Sequence, residues 1–283
     1  MGEERDRSHN DTPIKELERK AKWVRRQVLE MCLGAGVGHI APAFSCTEIL
    51  VALYHGGFLR VNPDIPSWEE RDRFILSKGH GAAALYAVLA DLGFFPVSEL
   101  ATYTITGSRL GGHAESDIPG IETTTGSLGH GLPISAGIAL AAKMDGKDYL
   151  CVTLLGDGEC QEGSVWEAAM FAGHHHLDNL IAIVDRNMVQ STDFTENAVI
   201  LEPFGKKWRA FNWNVSTVNG HSFKQILTTL NRLRLEKDGR PKAVIAKTIK
   251  GKGVSYMENK PIWHYRVPGS REEIEQARKE LAR

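Results

Sequence analysis

Two side chains able to share a cation stand thirty residues apart in this chain, each at the end of an apolar run. Asp157 lies in the turn Leu154-Leu155-Gly156-Asp157-Gly158, and Asn187 closes the stretch Asp185-Arg186-Asn187. A carboxylate and a carboxamide suit a hard cation such as Mg2+, which takes few protein ligands and completes its shell with phosphate oxygens. Gly158 leaves its N–H open to a phosphate at a helix start, where the macrodipole favours anions. A metal-bridged diphosphate is one reading of this pattern. An ordinary strand-end turn with Asp157 as a helix cap is the other.

The elements around these groups read as strand, helix, strand. Residues 149–155 and 180–185 are apolar, and 162–176 between them suit a helix. Such a crossover is right-handed and sets its strands parallel. Open parallel sheets bind ligands in the crevice at the carboxyl ends of their strands, so Asp157 and Asn187 are expected to converge there. Helices are further expected over 15–34, 45–54, 82–92, 132–143, 223–236 and 271–281, and strands over 73–76, 215–218 and 243–248. The expected architecture is one α/β domain over 13–283, doubly wound, with a mainly parallel sheet and helices on both faces. Residues 1–12 are expected to form a disordered polar lead-in.

Composition narrows the partners. The 283 residues carry a net charge of −1 and no basic stripe, which argues against nucleic acid. No apolar run approaches the roughly 20 residues of a membrane span, and the N-terminus has no apolar core of a secretion signal. Cys32, Cys46, Cys151 and Cys160 show no C-x-x-C spacing and read as reduced thiols, pointing to the cytoplasm. His174-His175-His176 is not read as a metal site, because consecutive helical positions diverge by about 100°. These imidazoles suit a helix C-terminus instead. Cys160 reads as a space-filling residue.

Five ordered motifs resemble the transketolase family over roughly residues 15–270. They are Gly38-His39-Ile40-Ala41-Pro42, Leu76-Ser77-Lys78-Gly79-His80-Gly81, Gly111-Gly112-His113-Ala114-Glu115, Thr125-Gly126-Ser127-Leu128-Gly129, and Gly156-Asp157-Gly158 running into Glu159-Cys160-Gln161-Glu162-Gly163 with Asn187 behind it. The resemblance implies the diphosphate-binding fold of thiamine-diphosphate enzymes. It implies thiamine diphosphate as cofactor, with Asp157, Asn187 and the Val189 carbonyl ligating Mg2+ or Ca2+. Gly156 and the Gly158 N–H would meet the diphosphate. Gly126 would offer its carbonyl to the aminopyrimidine, and Leu128 would pack on the rings.

His39, His80, His113 and His264 match the family's active-site histidines. Any one of them alone is more simply a turn residue with a satisfied ring. By resemblance, His39 and His264 contact substrate oxygens, His80 and His264 lie near the diphosphate, and His113 steers the donor's hydroxyls. In ketol transfer the cofactor is the electron sink, and the protein supplies orientation and proton transfer; histidine suits the latter near neutral pH. Glu162 would join an acidic cluster at a subunit interface, or serve simply as a first-turn carboxylate favoured by the helix dipole.

Transketolases are more than twice this long, and only their first domain is matched here. The resemblance therefore implies the N-terminal subunit of a split enzyme. Its partner would be a C-terminal subunit carrying the pyrimidine-binding and C-terminal domains, with a dimer of heterodimers as the assembly. The implied substrates are sugar phosphates, the pentose and hexose phosphates of the pentose phosphate pathway. His130 and Ser191 depart from the family pattern near the cofactor, which admits other ketoses, including branched or sulfonated sugars. The α subunit of a 2-oxo acid dehydrogenase shares the Gly-Asp-Gly and Asn signals without the three histidine loops. A non-catalytic partner has no reason to keep the ligands and histidines together.

Overall fold

The computed structural model describes residues 12–282. The lead-in expected over 1–12 lies outside the described residues, except that Thr12 Oγ1 donates to the His55 carbonyl at 3.1 Å.

Helix α1 (Ile14–Ala35) repeats apolar residues at spacings of three and four, burying Leu17, Ala21, Val24 and Val28 along one stripe. It runs one residue beyond the expected Gly34 and stops at Gly36, whose φ of +69° turns the chain in the left-handed region. Where one helix was expected over 45–54, two form: α2 (Ile40–Ser45) and α3 (Thr47–Tyr54). Pro42 sits in the first turn of α2, where its missing N–H costs nothing. The remaining elements are β1 (Arg73–Leu76), α4 (Ala82–Leu92), α5 (Gly131–Met144), β2 (Cys151–Gly156), α6 (Gly163–His174), β3 (Leu180–Arg186), α7 (Thr195–Ala198), α8 (Phe204–Ala210), β4 (Asn214–Asn219), α9 (Phe223–Leu235), β5 (Lys242–Lys247) and α10 (Arg271–Ala282). The short helices α7 and α8 were not expected.

The five strands form one sheet in the order β1-β2-β3-β5-β4, every pair parallel. Strand alternation splits the core in two. Val152, Leu154, Ile181, Ile183 and Val244 face the layer of α1, α3, α4 and α9. Cys151, Leu155, Ala182, Val184 and Ile245 face α5, α6 and α8. On the second face α6 passes so close to the turn after α8 that a Cβ on Gly173 would lie 2.0 Å from the Phe211 carbonyl oxygen. Trp208, fully buried, fills the space beside Trp166 and Trp213. Among the described residues no helix is long and apolar enough to cross a membrane.

A buried ion pair joins α1 to α3. Arg25 on α1 grips Glu48 on α3 through two bonds of 2.6 Å and also donates to the Phe44 carbonyl at 2.9 Å. Burial alone would raise the Glu48 carboxyl, but Arg25 and His221 overcome it and hold the pKa at about 2. A folded-state pKa below the unfolded one contributes stability above the unfolded value, lost as pH falls toward the folded one. Between about pH 4.5 and about pH 2 the chain is therefore expected to lose on the order of 3 kcal/mol from this group. Glu48→Gln, which strands the Arg25 charge, is expected to cost roughly 3–5 kcal/mol at neutral pH. Denaturant unfolding of both proteins against pH checks this: the gap between them must narrow in acid, and a constant gap refutes the ion-pair account.

Candidate active site

In the parallel register Gly156 lies opposite Asp185, and Arg186 opposite Lys247. The segments leaving β1, β2, β3 and β5 therefore emerge on one edge of the sheet. A cavity of about 360 Å3 opens there. His39, His80, His113 and His264 line it, as do Gly126, Leu128, Gly156, Asp157, Gly158, Glu162, Asn187 and Val189. The sequence brings these residues from seven separate stretches; the strand ends and their flanking loops gather them.

The oxygen donors sit where β2 and β3 end. Asp157 is 2% exposed. Its Oδ1 accepts from the Gly158 N–H at 2.8 Å, and its Oδ2 from the Met188 N–H at 2.6 Å, with Arg186 Nη1 at 3.4 Å. Burial, reinforced by Asp185, nevertheless pushes its pKa up to about 6. The surroundings thus under-compensate this carboxylate, and an added cation would complete them. Asn187 Oδ1 accepts from the Val189 N–H at 3.1 Å. Met188 between them has a φ of +67°, a left-handed conformation that costs a non-glycine residue roughly 1–2 kcal/mol. That turn lets the Asn187 side chain and Val189 line the same cavity. Carboxylate, carboxamide and main-chain carbonyl form an all-oxygen donor set that fits Mg2+ or Ca2+. A Cβ on Gly158 would lie 3.0 Å from Gln190 Cβ, so glycine keeps this approach open.

The four histidines form one cluster. The His39 ring lies 5.5 Å from His80, 5.6 Å from His113 and 5.4 Å from His264, centroid to centroid. Burial lowers the His39 pKa to about 4, with His113 and Lys250 adding to the effect. His264 falls to about 3 through burial and Lys250, and His80 falls well below its ordinary value. These three imidazoles are neutral near pH 7 and can each accept a proton or a hydrogen bond. His264 comes from the segment after β5, beside the Gly-rich stretch that starts at Lys250.

Two buried lysines line the cavity without having been given a role from sequence. Lys78 Nζ meets Asp185 Oδ2 at 2.5 Å and the Pro42 carbonyl at 2.9 Å. Burial works against its charge, yet Asp185 leaves its pKa raised. Asp185 also accepts from Ser45 Oγ at 2.5 Å and from Thr248 Oγ1. Lys250 Nζ donates to the Val189 carbonyl at 2.8 Å and lies 2.7 Å from His264 Nδ1; burial, helped by Lys78, brings it down to about 7. The one signal in the sequence was a lysine embedded among small residues after a strand, at Ser77-Lys78-Gly79 and Lys250-Gly251.

Glu159 ties the loop ending at Gly129 to the sheet. It accepts from the Gly129 N–H at 2.8 Å, the Gly156 N–H at 2.9 Å and Ser77 Oγ. Gly129 has φ +85°, and a Cβ there would lie 2.7 Å from Glu162 Cβ. Glu162 itself is the exposed N-cap residue of α6, one step before the first turn expected for it. Ser191 lines the cavity, whereas His130 is the exposed N-cap of α5 and is not among the lining residues. Cys160 is fully buried with its thiol pKa well above normal, which suits a filler. Helix α6 ends at His174, and His176 lies 3.2 Å from the Gly239 carbonyl.

Fold and site together define an α/β chain whose strand-end cavity sets an all-oxygen donor set beside buried, neutral imidazoles. Residues 17–282 match the family model described as transketolase, thiamine diphosphate binding domain. One subunit of the apulose-4-phosphate transketolase of Phocaeicola vulgatus is 42% identical over 269 residues, covering 95% of each chain. One subunit of the 6-deoxy-6-sulfo-D-fructose transketolase of a Clostridium species is 42% identical over 250 residues, covering 88% of this chain and 90% of that one. The crystal structure of transketolase from Campylobacter jejuni superposes with a TM-score of 0.89 at 31% identity, covering 96% of this chain but 43% of that one. The chain belongs to the transketolase family. It carries the family's thiamine-diphosphate-binding domain, and the enzyme type is a transferase. In length and sequence it corresponds to the diphosphate-binding subunit of the split transketolases.

Proposed function

We propose that this chain is the N-terminal subunit of a two-chain transketolase, which moves a two-carbon ketol unit from a ketose donor to an aldose acceptor. The observation that carries the reading is the convergence of Asp157, Asn187 and Val189 with four histidines in one cavity. Asp157, Asn187 Oδ1 and the Val189 carbonyl would hold Mg2+ or Ca2+, and the Gly158 N–H would meet the diphosphate beside Gly156. His80, His264 and the Lys250 ammonium flank the same place, where charge-assisted bonds to phosphate are strong. Gly126 would receive the aminopyrimidine, and Leu128 would pack on the rings. Thiamine diphosphate, when bound, supplies the nucleophilic carbon and the electron sink. His39 and His264 would contact donor oxygens and take the hydroxyl proton, a role worth about 10² to 10⁴ in rate, while His113 steers the donor.

The two relatives covered over 95% and 90% of their length are themselves named as transketolase subunits, which supports a partner subunit supplying the pyrimidine-binding and C-terminal domains. In a dimer of heterodimers, exposed Glu162 would join an acidic cluster across the subunit interface. Residues 13–283 are taken as a single domain, and the cytoplasm as the compartment.

Sugar phosphates are the proposed substrate class. A second reading, an unusual ketose donor, is favoured by the two relatives at 42% identity, whose names specify apulose 4-phosphate and a sulfonated fructose. The chain mixed with its partner subunit, thiamine diphosphate and Mg2+ is expected to transfer a ketol unit from xylulose 5-phosphate to ribose 5-phosphate, and neither chain alone to do so. Cofactor binding by the mixture without turnover selects the unusual ketose. No cofactor binding refutes the proposal.

A further inference from the structure

His221, two residues past the end of β4, is not among the residues lining the cavity, yet it holds a segment that is. Its Nδ1 lies 2.8 Å from Glu48 Oε2, and its Nε2 lies 2.8 Å from the Ile249 main-chain nitrogen. The Ile249 N–H can only donate, so Nε2 must be the bare nitrogen; Glu48 is an ionised acceptor, so Nδ1 must carry the proton. A neutral imidazole has one N–H and one acceptor nitrogen, and here both are fixed in a single tautomer. Arg25 clamps Glu48 from the other side through two bonds of 2.6 Å. A chain of four groups thus runs from α1 through α3 to the residue preceding Lys250.

The segment after β5 needs such an anchor. Gly251 and Gly253 adopt φ of +78° and +100°, and glycines there permit many backbone paths. The path taken is pinned by Thr248 Oγ1 on Asp185, by the Ile249 N–H on His221 and by the Gly251 N–H on the Ala41 carbonyl at 3.0 Å. The Arg25 stem closes the far side, since a Cβ on Gly253 would lie 3.4 Å from Arg25 Cδ. Of these anchors, the Ile249 and Gly251 N–H groups flank Lys250, the second held by a main-chain carbonyl and the first by the His221 side chain. We propose that His221 is a positioning residue that sets the Lys250 ammonium in the cofactor cavity by fixing the main chain just before it. The proposal rests on the reading of Lys250 as a diphosphate partner.

Two variants separate the halves of the relay. The amide of His221→Asn reaches the place of Nδ1 and can still meet Glu48, but leaves the Ile249 N–H without a partner. The amide of His221→Gln reaches the place of Nε2 and keeps an acceptor for Ile249, while weakening the link to Glu48. Thiamine diphosphate with Mg2+ is titrated calorimetrically into each variant in complex with the partner subunit, and unfolding midpoints are recorded alongside. His221→Asn is expected to raise the cofactor Kd on the order of tenfold, the scale of lost outer-layer support for a ligand. His221→Gln is expected to bind nearly as wild type, although both unfold at lower temperature. In the 15N-histidine-labelled full chain, His221 is expected to show the Nδ1–H tautomer. Equal binding loss in both variants, loss in neither, or the Nε2–H tautomer overturns the proposal. A wild-type complex that binds no cofactor overturns the function reading and this proposal with it; normal wild-type binding with an unaffected His221→Asn overturns this proposal alone.

Discussion

Asp157→Ala, assayed in complex with the partner subunit, is expected to show no measurable ketol transfer and a cofactor affinity lowered by roughly 2–5 kcal/mol, the scale for truncating one member of a buried charge pair. The fold is not expected to suffer. Without a metal, Asp157 is a buried carboxylate whose pKa is pushed up to about 6, so its ionised form opposes folding at neutral pH. Removing it relieves that opposition, although the Met188 N–H and Arg186 each lose an acceptor. The variant should therefore unfold within about 1 kcal/mol of wild type without cofactor, while cofactor with Mg2+ no longer raises its melting temperature. Near-normal affinity in titration would remove Asp157 from the metal site.

Asp185→Ala is expected to act in the opposite way, by destabilising the chain itself. Lys78 and Asp185 are respectively 1% and 0% exposed, and deleting one partner of such a pair costs roughly 3–5 kcal/mol because the other charge remains buried. Four segments meet at this carboxylate: Ser45 of α2, Lys78 after β1, β3 itself and Thr248 after β5. The His39, His80 and Lys250 loops should loosen together. The double variant Asp185→Ala with Lys78→Met checks this, since removing both charges should recover much of the stability without restoring cofactor affinity. If the double variant is no more stable than the single one, the buried charge is not the cause.

What could be read in advance, and what could not, follows from the range of each signal. The strands of residues 151–156 and 180–186 carry their apolar pattern locally, and the glycines around Asp157 mark the turn between strand and helix. The order β1-β2-β3-β5-β4 has no local signal beyond the single crossover linking β2 and β3. Helix α2 was hidden because Gly38 and Pro42 look like loop residues until the proline is seen to occupy a first turn. The histidine loops were found through their motifs. Lys78 and Lys250 were not given roles, because a buried lysine is defined by its partner, and Asp185 lies 107 residues from Lys78. The same holds for His221, which lies 173 residues from Glu48.

Below about pH 7, where its amine is protonated, Lys250 gives the cavity a cation of its own. Its ammonium sits 2.8 Å from the Val189 carbonyl, one of the three oxygens proposed for the metal. A free divalent ion arriving alone meets a carbonyl that is already engaged and a positive charge behind it. An ion arriving with a diphosphate brings that ammonium a new acceptor at the same moment. Metal and diphosphate are then thermodynamically coupled, each raising the affinity of the other by the same factor. Loading is accordingly expected to be concerted: concentrations of ion or diphosphate that leave the chain nearly empty when offered singly should fill it when the two are supplied as one complex.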